Sequence, residues 1–135
     1  MGYHDTLIAV AGDCPATTGV APQLRDGRRT VAVLHFELIG SSPYALTQED
    51  VLFQTWLAQQ NPAPAGDLAA LREQFFDQPR ACLRASPLPK RYGWGVHFDA
   101  AGRTALHAVD SAEYAALADR DAAAVLPAFR ARRAG

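Results

Sequence analysis

The sequence predicts an α+β domain with an antiparallel sheet of four to five strands and helices packed on one face. A hairpin pattern occupies residues 94–109, and two amphipathic helical stripes occupy residues 48–79. The predicted elements follow the order β-β-α-α-β-β-β-α-α. Consecutive strands joined by a tight turn favour an α+β fold over a parallel sheet, whose strands alternate with helices. The chain of 135 residues has the length of one domain, which we place at residues 1–135.

Two β-strands are predicted in the first third of the chain. Residues 6–11 (TLIAVA) form a short apolar run that stops at Gly12 and Asp13. A surface loop rich in Gly, Pro and Arg is predicted over residues 12–29. Residues 30–39 then alternate between two faces, and we predict a second strand there. One of its faces is wholly apolar and consists of Ala32, Leu34, Phe36 and Leu38.

Two amphipathic helices are predicted in the middle of the chain. Thr47 is a predicted N-cap, and the acidic residues that follow it complement the helix dipole. An apolar stripe then predicts a helix over residues 48–60. Asp67 is the predicted cap of the second helix, and Pro79 sets its far limit.

The clearest hairpin joins residues 94–99 to residues 103–109. The residues Asp-Ala-Ala-Gly at 99–102 fit a type I turn with Gly102 in the left-handed conformation, which sets the register. In this register, one face of the hairpin is predicted to lie in the core and consists of Trp94, Val96, Phe98 and Leu106. The other face consists of Gly95, His97, Ala105 and His107.

Three shorter elements complete the prediction. Residues 81–85 are predicted as a strand closed by Pro87 and Pro89. A helix is predicted from Asp110 to Ala118, and the tail, residues 122–133, is predicted as a helix that Pro127 kinks or restarts.

The composition argues against several classes of protein. A formal net charge of -1 and a pI of about 6.4 provide no global basic field, so we predict no nucleic-acid partner. The basic tail residues Arg130, Arg132 and Arg133 fit the negative end of a helix dipole. The chain start lacks a basic segment before its short apolar run, and no apolar run approaches the roughly 20 residues that span a bilayer. Two cysteines are too few for a disulfide framework, so we predict a cytoplasmic protein without membrane contact.

The candidate ligand site surrounds Lys90, the only lysine in a chain with twelve arginines. A lysine ammonium is a compact charge that can lose its proton when desolvated, which a guanidinium does not do. The segment therefore predicts a pocket around residues 84–95 for an anionic small molecule or an acidic segment of a partner protein. If so, Glu49 or Asp50 is expected near the ammonium. The alternative is a stiff, solvated loop. The predicted ligand-binding residues are Arg84, Ser86, Lys90, Arg91, Tyr92 and Trp94.

The alternative hypothesis is that the protein is an enzyme that uses the same pocket. Cys82 is a candidate nucleophile, His97 is its candidate base, and Lys90 is a third candidate catalytic residue. A buried, unreactive cysteine is the competing interpretation of Cys82. The sequence has no nucleotide-binding glycine motif, and we predict no cofactor. The oligomeric state is left open.

Four side chains of the types that bind metals lie on predicted strands. His35 and Glu37 lie two residues apart, and His97 and His107 share a face of the predicted hairpin. These are suitable ligand types for zinc or iron. Their spacing, however, is that of any polar sheet face, so we predict no metal.

Four segments of the chain resemble a known family. They are DTLIAVAGDCP (5–15), PYALTQEDVLF (43–53), CLRASPLPKRYGWGVHFD (82–99) and FRARRA (129–134). Together they resemble a family of small single-domain bacterial proteins of unknown function. The resemblance implies a bacterial protein and implies no activity.

Overall fold

The computed structural model describes residues 2–121 and 124–131. In these residues, four strands and five α-helices alternate irregularly along the chain, and Leu83–Ala85 form a 3-10 turn. The strands are β1 (Thr6–Ala9), β2 (Trp94–Phe98), β3 (Thr104–Ala108) and β4 (Val125–Pro127). The helices are α1 (Val31–Gly40), α2 (Gln48–Ala58), α3 (Leu68–Phe76), α4 (Pro87–Arg91) and α5 (Ala112–Ala118). The α+β class is confirmed.

The sheet is mixed, which corrects the fully antiparallel prediction. The strand order is β3-β2-β1-β4, in which β2 is antiparallel to β1 and β3 while β4 is parallel to β1. Between β3 and β4, the chain passes through α5, and such a crossover is what allows β4 to run parallel to β1.

The prediction of helices on one face is also wrong. Trp94 and Gly95 are consecutive in β2, so they point to opposite faces of the sheet. On one face, the Phe36 ring of α1 lies 5.5 Å from the Trp94 ring. On the other face, Tyr114 of α5 packs so closely on Gly95 that a Cβ there would lie 2.6 Å from the ring. Helices therefore cover both faces.

The hairpin prediction is confirmed in turn and register. Val96 pairs with Leu106 and His97 pairs with Ala105, as the turn requires. Gly102 has a φ of +79°, and Asp99 Oδ1 accepts hydrogen bonds from the amides of Ala101 and Arg103. Val96 and Phe98 are fully buried and Trp94 is half-buried. Val96 and Phe98 belong to a core that also contains Ile8, Ile39, Val51 and Leu83, and Leu106 packs against it.

Residues 30–39 do not form the predicted strand, because α1 occupies them. Thr30 caps this helix by accepting a hydrogen bond from the amide of Val33. Seven of the ten residues in the segment are apolar, and α1 is buried on several sides, at Ala32, Val33, Leu34, His35 and Ile39. A short, mainly apolar run fits a buried helix as well as a strand, so periodicity does not distinguish them.

The segment before the hairpin is helical rather than extended. The predicted strand at 81–85 is wrong, because Leu83–Ala85 form a 3-10 turn. The predicted stiff loop is α4, in which Ser86 is the N-cap and Pro87 occupies the first turn. Proline is well suited to the first position of a helix, since its φ is already helical and its missing N–H needs no partner there.

The predicted tail helix is wrong over its described part, because residues 125–127 form β4. Residues 122, 123, 132 and 133 of that prediction lie outside the described residues. The helices predicted at 48–60 and after Asp67 are confirmed, each with its predicted cap. The helix predicted from Asp110 is confirmed as α5, although its N-cap is Ser111.

Candidate functional site

A cavity of about 250 Å³ opens between α1, α2, α3 and residues 80–87. We call it the α1–α2 pocket. Its apolar wall includes Val31, Leu52, Trp56, Phe75 and Pro87. Its polar groups are His35, Thr55, Gln59, Arg80, Cys82 and Ser86. A concave, mainly apolar pocket with a few polar groups is the usual form of a small-molecule site.

A hydrogen-bonded histidine and serine lie in the wall of this pocket. His35 is 4% exposed, and its Nδ1 lies 2.8 Å from Ser86 Oγ. Ser86 Oγ also accepts a hydrogen bond from the amide of Leu88. Burial lowers the pKa of His35 to about 4, because the interior disfavours a charged imidazole. His35 is therefore neutral at neutral pH.

Two further polar side chains give the pocket its chemical character. Thr55 is 6% exposed, and its hydroxyl has no hydrogen-bond partner in the part of the chain that the structure describes. Arg80 donates from Nε to the Phe75 carbonyl, and its guanidinium lies 3.9 Å from the centre of the Phe75 ring. The Thr55 oxygen is thus shielded from the pocket, whereas Arg80 lines the pocket as a positive charge stacked on an aromatic ring.

The comparisons with known proteins identify a family but no characterised relative. A model of a family of unknown function, DUF6157, matches residues 1–134. The chain belongs to this family. No curated protein and no solved structure matches the sequence. A family of unknown function was the expectation drawn from the sequence segments, and the DUF6157 match confirms it at that level.

The DUF6157 chain holds a second polar cluster on the opposite face of the sheet. The Tyr44 hydroxyl lies 2.8 Å from His97 Nδ1 and 3.1 Å from His107 Nε2. Burial lowers the pKa of His97, helped by nearby His107 and Arg120. Burial also lowers the pKa of His107 and raises that of Tyr44. Both histidines therefore favour their neutral forms.

Sequence reasoning paired the two histidines but missed Tyr44. Its amide donates to the Thr104 carbonyl, and its backbone φ is +57°, a left-handed conformation that is unusual for tyrosine. No local signal in the sequence indicates this conformation, because it results from the hydrogen bonds that residues 44–46 make with Thr104 at the edge of β3.

The residues predicted to bind a ligand do not form one pocket in the DUF6157 chain. Ser86 lines the α1–α2 pocket, whereas the Arg84 side chain donates to the Pro127 carbonyl and stacks on Phe129. The others are directed elsewhere: Arg91 donates to the Ala131 carbonyl, Trp94 donates to the Val20 carbonyl, and half-buried Tyr92 ends α4. The short helix α4 separates these side chains.

Lys90 lies in the last turn of α4 and is half-buried. Among the described residues, its ammonium has no hydrogen bond or ion pair. The expected pairing with Asp50 is wrong, because Asp50 caps α2 and binds Arg72 at 2.9 Å. Glu49 does not pair with Lys90 either, since its buried Oε1 has no partner within the described ranges and lies beside Gly2.

The structure does not bring Cys82 and His97 together. The Cys82 thiol lies 3.4 Å from the Tyr3 hydroxyl, and Tyr3 packs on Phe98. His97 projects from the opposite face of the sheet. Over residues 2–121 and 124–131, no three His, Cys, Asp or Glu side chains come close enough to bind one metal ion. No helix within these residues has the length and apolarity to cross a bilayer.

Proposed function

We propose that the α1–α2 pocket binds a small carboxylic acid with an apolar ring or short chain. The Arg80 guanidinium carries this proposal. It lines a mainly apolar cavity and has no carboxylate partner among the described residues, so a ligand carboxylate can pair with it there.

The volume of the pocket supports a small ligand. A cavity of about 150 Å³ holds benzene, so 250 Å³ accommodates one ring with a short substituent. Trp56 and Phe75 supply aromatic surface for that ring. Because the His35 imidazole is neutral, an apolar ligand that covers it does not have to desolvate a charge.

Arg80 supports an acidic group on the ligand. Its Nε is satisfied by the Phe75 carbonyl, and the guanidinium has no carboxylate partner among the described residues. The fixed planar fork suits a carboxylate, which it can bind through two parallel hydrogen bonds. The anionic ligand expected from the sequence is thus retained, with the site centred on residues 80–87 instead of 84–95.

Thermal shift and calorimetric titration with benzoate, phenylacetate, hexanoate and benzyl alcohol test the proposal. A carboxylate that binds the folded protein raises its melting temperature, and neutral benzyl alcohol raises it less. Arg80→Gln is expected to abolish the preference for the acid, whereas Arg103→Gln, an exposed arginine at the hairpin tip, leaves it intact. If no carboxylate binds, or if Arg80→Gln binds each one unchanged, the proposal is wrong.

The contact between Ser86 and His35 favours an enzyme as the second candidate. A serine hydroxyl 2.8 Å from a neutral imidazole has the spacing of a nucleophile and its base. Among the described residues, His35 has a hydrogen bond to Ser86 and none to a carboxylate, so the third member of a catalytic triad is absent there. Hydrolysis of p-nitrophenyl acetate that is lost in Ser86→Ala and His35→Gln would support this candidate. Absence of hydrolysis and of labelling by a fluorophosphonate would exclude it.

A bacterial, cytoplasmic location belongs to the same proposal. Cys14 and Cys82 are both free thiols, as expected in a reducing compartment. Lys90 and Arg91 remain proposed contacts for an acidic partner, since both occupy the accessible side of α4.

A further inference from the structure

Tyr44, His97 and His107 bring three donor atoms together on the face of the sheet where α5 packs. The phenol oxygen of Tyr44 lies 2.8 Å from Nδ1 of His97 and 3.1 Å from Nε2 of His107. The centres of the two imidazole rings are 6.1 Å apart, and all three side chains are half-buried. None of the three lines the α1–α2 pocket, so the cluster is independent of the function proposed for that pocket.

The backbone holds the Tyr44 phenol in place against the two imidazoles. The φ of Tyr44 is +57°, a left-handed conformation in which side chains other than glycine are strained. Two backbone hydrogen bonds of 2.8 Å maintain it, from the Tyr44 amide to the Thr104 carbonyl and from the Thr104 amide to the Leu46 carbonyl. The histidines lie on the paired strands β2 and β3. The fold therefore fixes all three donors, and strain of this kind is often found at functional sites.

The spacing of the donor atoms favours a metal ion with tetragonal coordination. At metal–ligand distances of about 2.0–2.1 Å, neighbouring donors lie about 2.9 Å apart in a square plane and about 3.4 Å apart in a tetrahedron. The two distances from the phenol oxygen, 2.8 and 3.1 Å, bracket the first value. Tetragonal sites with nitrogen and oxygen ligands are typical of Cu²⁺ and Ni²⁺, and Cu²⁺ binds most tightly of the divalent first-row ions.

The charges around the cluster also favour a cation. Three carboxylates lie close enough to act electrostatically on the two imidazoles, those of Asp5, Asp99 and Glu113. The guanidinium of Arg120 acts in the opposite sense. Three negative charges against one positive charge leave a negative local field, which attracts a divalent cation.

We propose that Tyr44, His97 and His107 bind one Cu²⁺ ion. Nδ1 of His97 and Nε2 of His107 are the nitrogen ligands, and Tyr44 binds as a phenolate. The phenol has one proton, so in the metal-free cluster it donates to one imidazole and accepts an N–H from the other. On metal binding, that second imidazole moves its proton to its other ring nitrogen, and the phenol proton is released to solvent. The proposal departs from the sequence-based prediction of no metal, which did not include Tyr44.

Titration of Cu²⁺ into protein that lacks competing ligands tests the proposal. His4→Gln, Cys14→Ala and Cys82→Ala are combined for this purpose, because they remove an exposed imidazole and two free thiols that bind or reduce copper. One equivalent of Cu²⁺ should produce a phenolate-to-copper charge-transfer band in the visible spectrum and an EPR signal with coupling to two nitrogens. Calorimetry in buffers of different ionisation enthalpy should detect one proton released per ion.

Substitutions in the same protein assign the ligands. Tyr44→Phe should abolish the visible band and leave the nitrogen coupling in the EPR signal. Loss of an outer-shell partner weakens a metal site about 10–100-fold, so His97→Gln and His107→Gln, which remove ligands, should weaken it at least as much. Tyr92→Phe is the matched control, because Tyr92 is a half-buried tyrosine at the end of α4, and it should change neither signal.

A second titration keeps the test independent of the combined variant. Ni²⁺, which thiols do not reduce, is titrated calorimetrically into the wild type, His97→Gln and His107→Gln. Binding that both substitutions weaken supports the site. Absence of binding in either titration of folded protein would overturn the proposal. A visible band that persists in Tyr44→Phe, or an affinity that neither histidine substitution changes, would also overturn it and would assign the metal to an adventitious surface position.

Discussion

The depressed pKa of His35 predicts a specific loss of stability in acid. The unfolded chain binds a proton at His35 near pH 6.5, whereas the folded protein does so only near pH 4. Between these values, the unfolded state holds more protons, so the free energy of unfolding falls as the pH falls. The stability is fully present above pH 6.5. The shift of 2.5 pH units corresponds to about 3 kcal/mol in total, of which about 2 kcal/mol is lost between pH 7 and pH 4.5.

Urea unfolding of the wild type and His35→Gln at pH 7 and pH 4.5 measures this effect. Glutamine cannot take up the proton but can hydrogen-bond Ser86, so the variant should lose about 2 kcal/mol less than the wild type on acidification. His97 and His107, whose pKa values are also lowered, contribute equally to both proteins. His4→Gln, which replaces an exposed histidine, is the matched control for the loss of one imidazole.

Proton NMR of the imidazole Cε1 resonance supplies the independent measurement. The His35 resonance should remain that of a neutral ring down to about pH 5. If His35 titrates above pH 6, or if the wild type and His35→Gln respond identically to acid, burial does not control this histidine and the reasoning is refuted.

Two further predictions concern the packing around the hairpin. Gly93→Ala should lower the free energy of unfolding by about 2–4 kcal/mol, since its Cβ would lie 2.1 Å from the Thr18 carbonyl oxygen at a φ of +75°. Gly27→Ala is the control, because Gly27 has a similar φ of +74° but nothing within 4 Å of an added Cβ. In urea unfolding, this variant should lose about 1 kcal/mol of unfolding free energy. Equal losses for the two variants would show that the contact with Thr18 is unimportant. Tyr44→Phe should destabilise the protein by about 1–3 kcal/mol, because two half-buried imidazoles lose their partner. It should also change the NMR titrations of both His97 and His107, and unchanged titrations would mean that the hydroxyl does not join them.

The sequence by itself determined the elements whose signals are local. The caps Thr47 and Asp67 begin α2 and α3 as predicted, because a cap satisfies backbone groups within three residues of itself. The hairpin is equally local, since the left-handed Gly102 sets the register of both strands.

Tertiary structure decided the elements that depend on distant partners. Residues 30–39 are apolar at seven of ten positions, and only the surrounding core selects a helix over a strand. Residues 125–127 are too few to specify a strand alone, and they become one by pairing with β1 more than a hundred positions earlier.

The candidate sites follow the same division. The composition singled out Lys90, but a rare residue type carries no information about its neighbours, and its ammonium has no partner among the described residues. Ser86 was selected from the sequence without its partner, since His35 lies 51 positions earlier on a segment predicted to be a strand. A helix there turns the imidazole toward residues 80–87. The pocket therefore forms only when α1 packs against residues 80–87. The neutral state of His35 and its contact with Ser86 result from that burial, and no local sequence pattern encodes them.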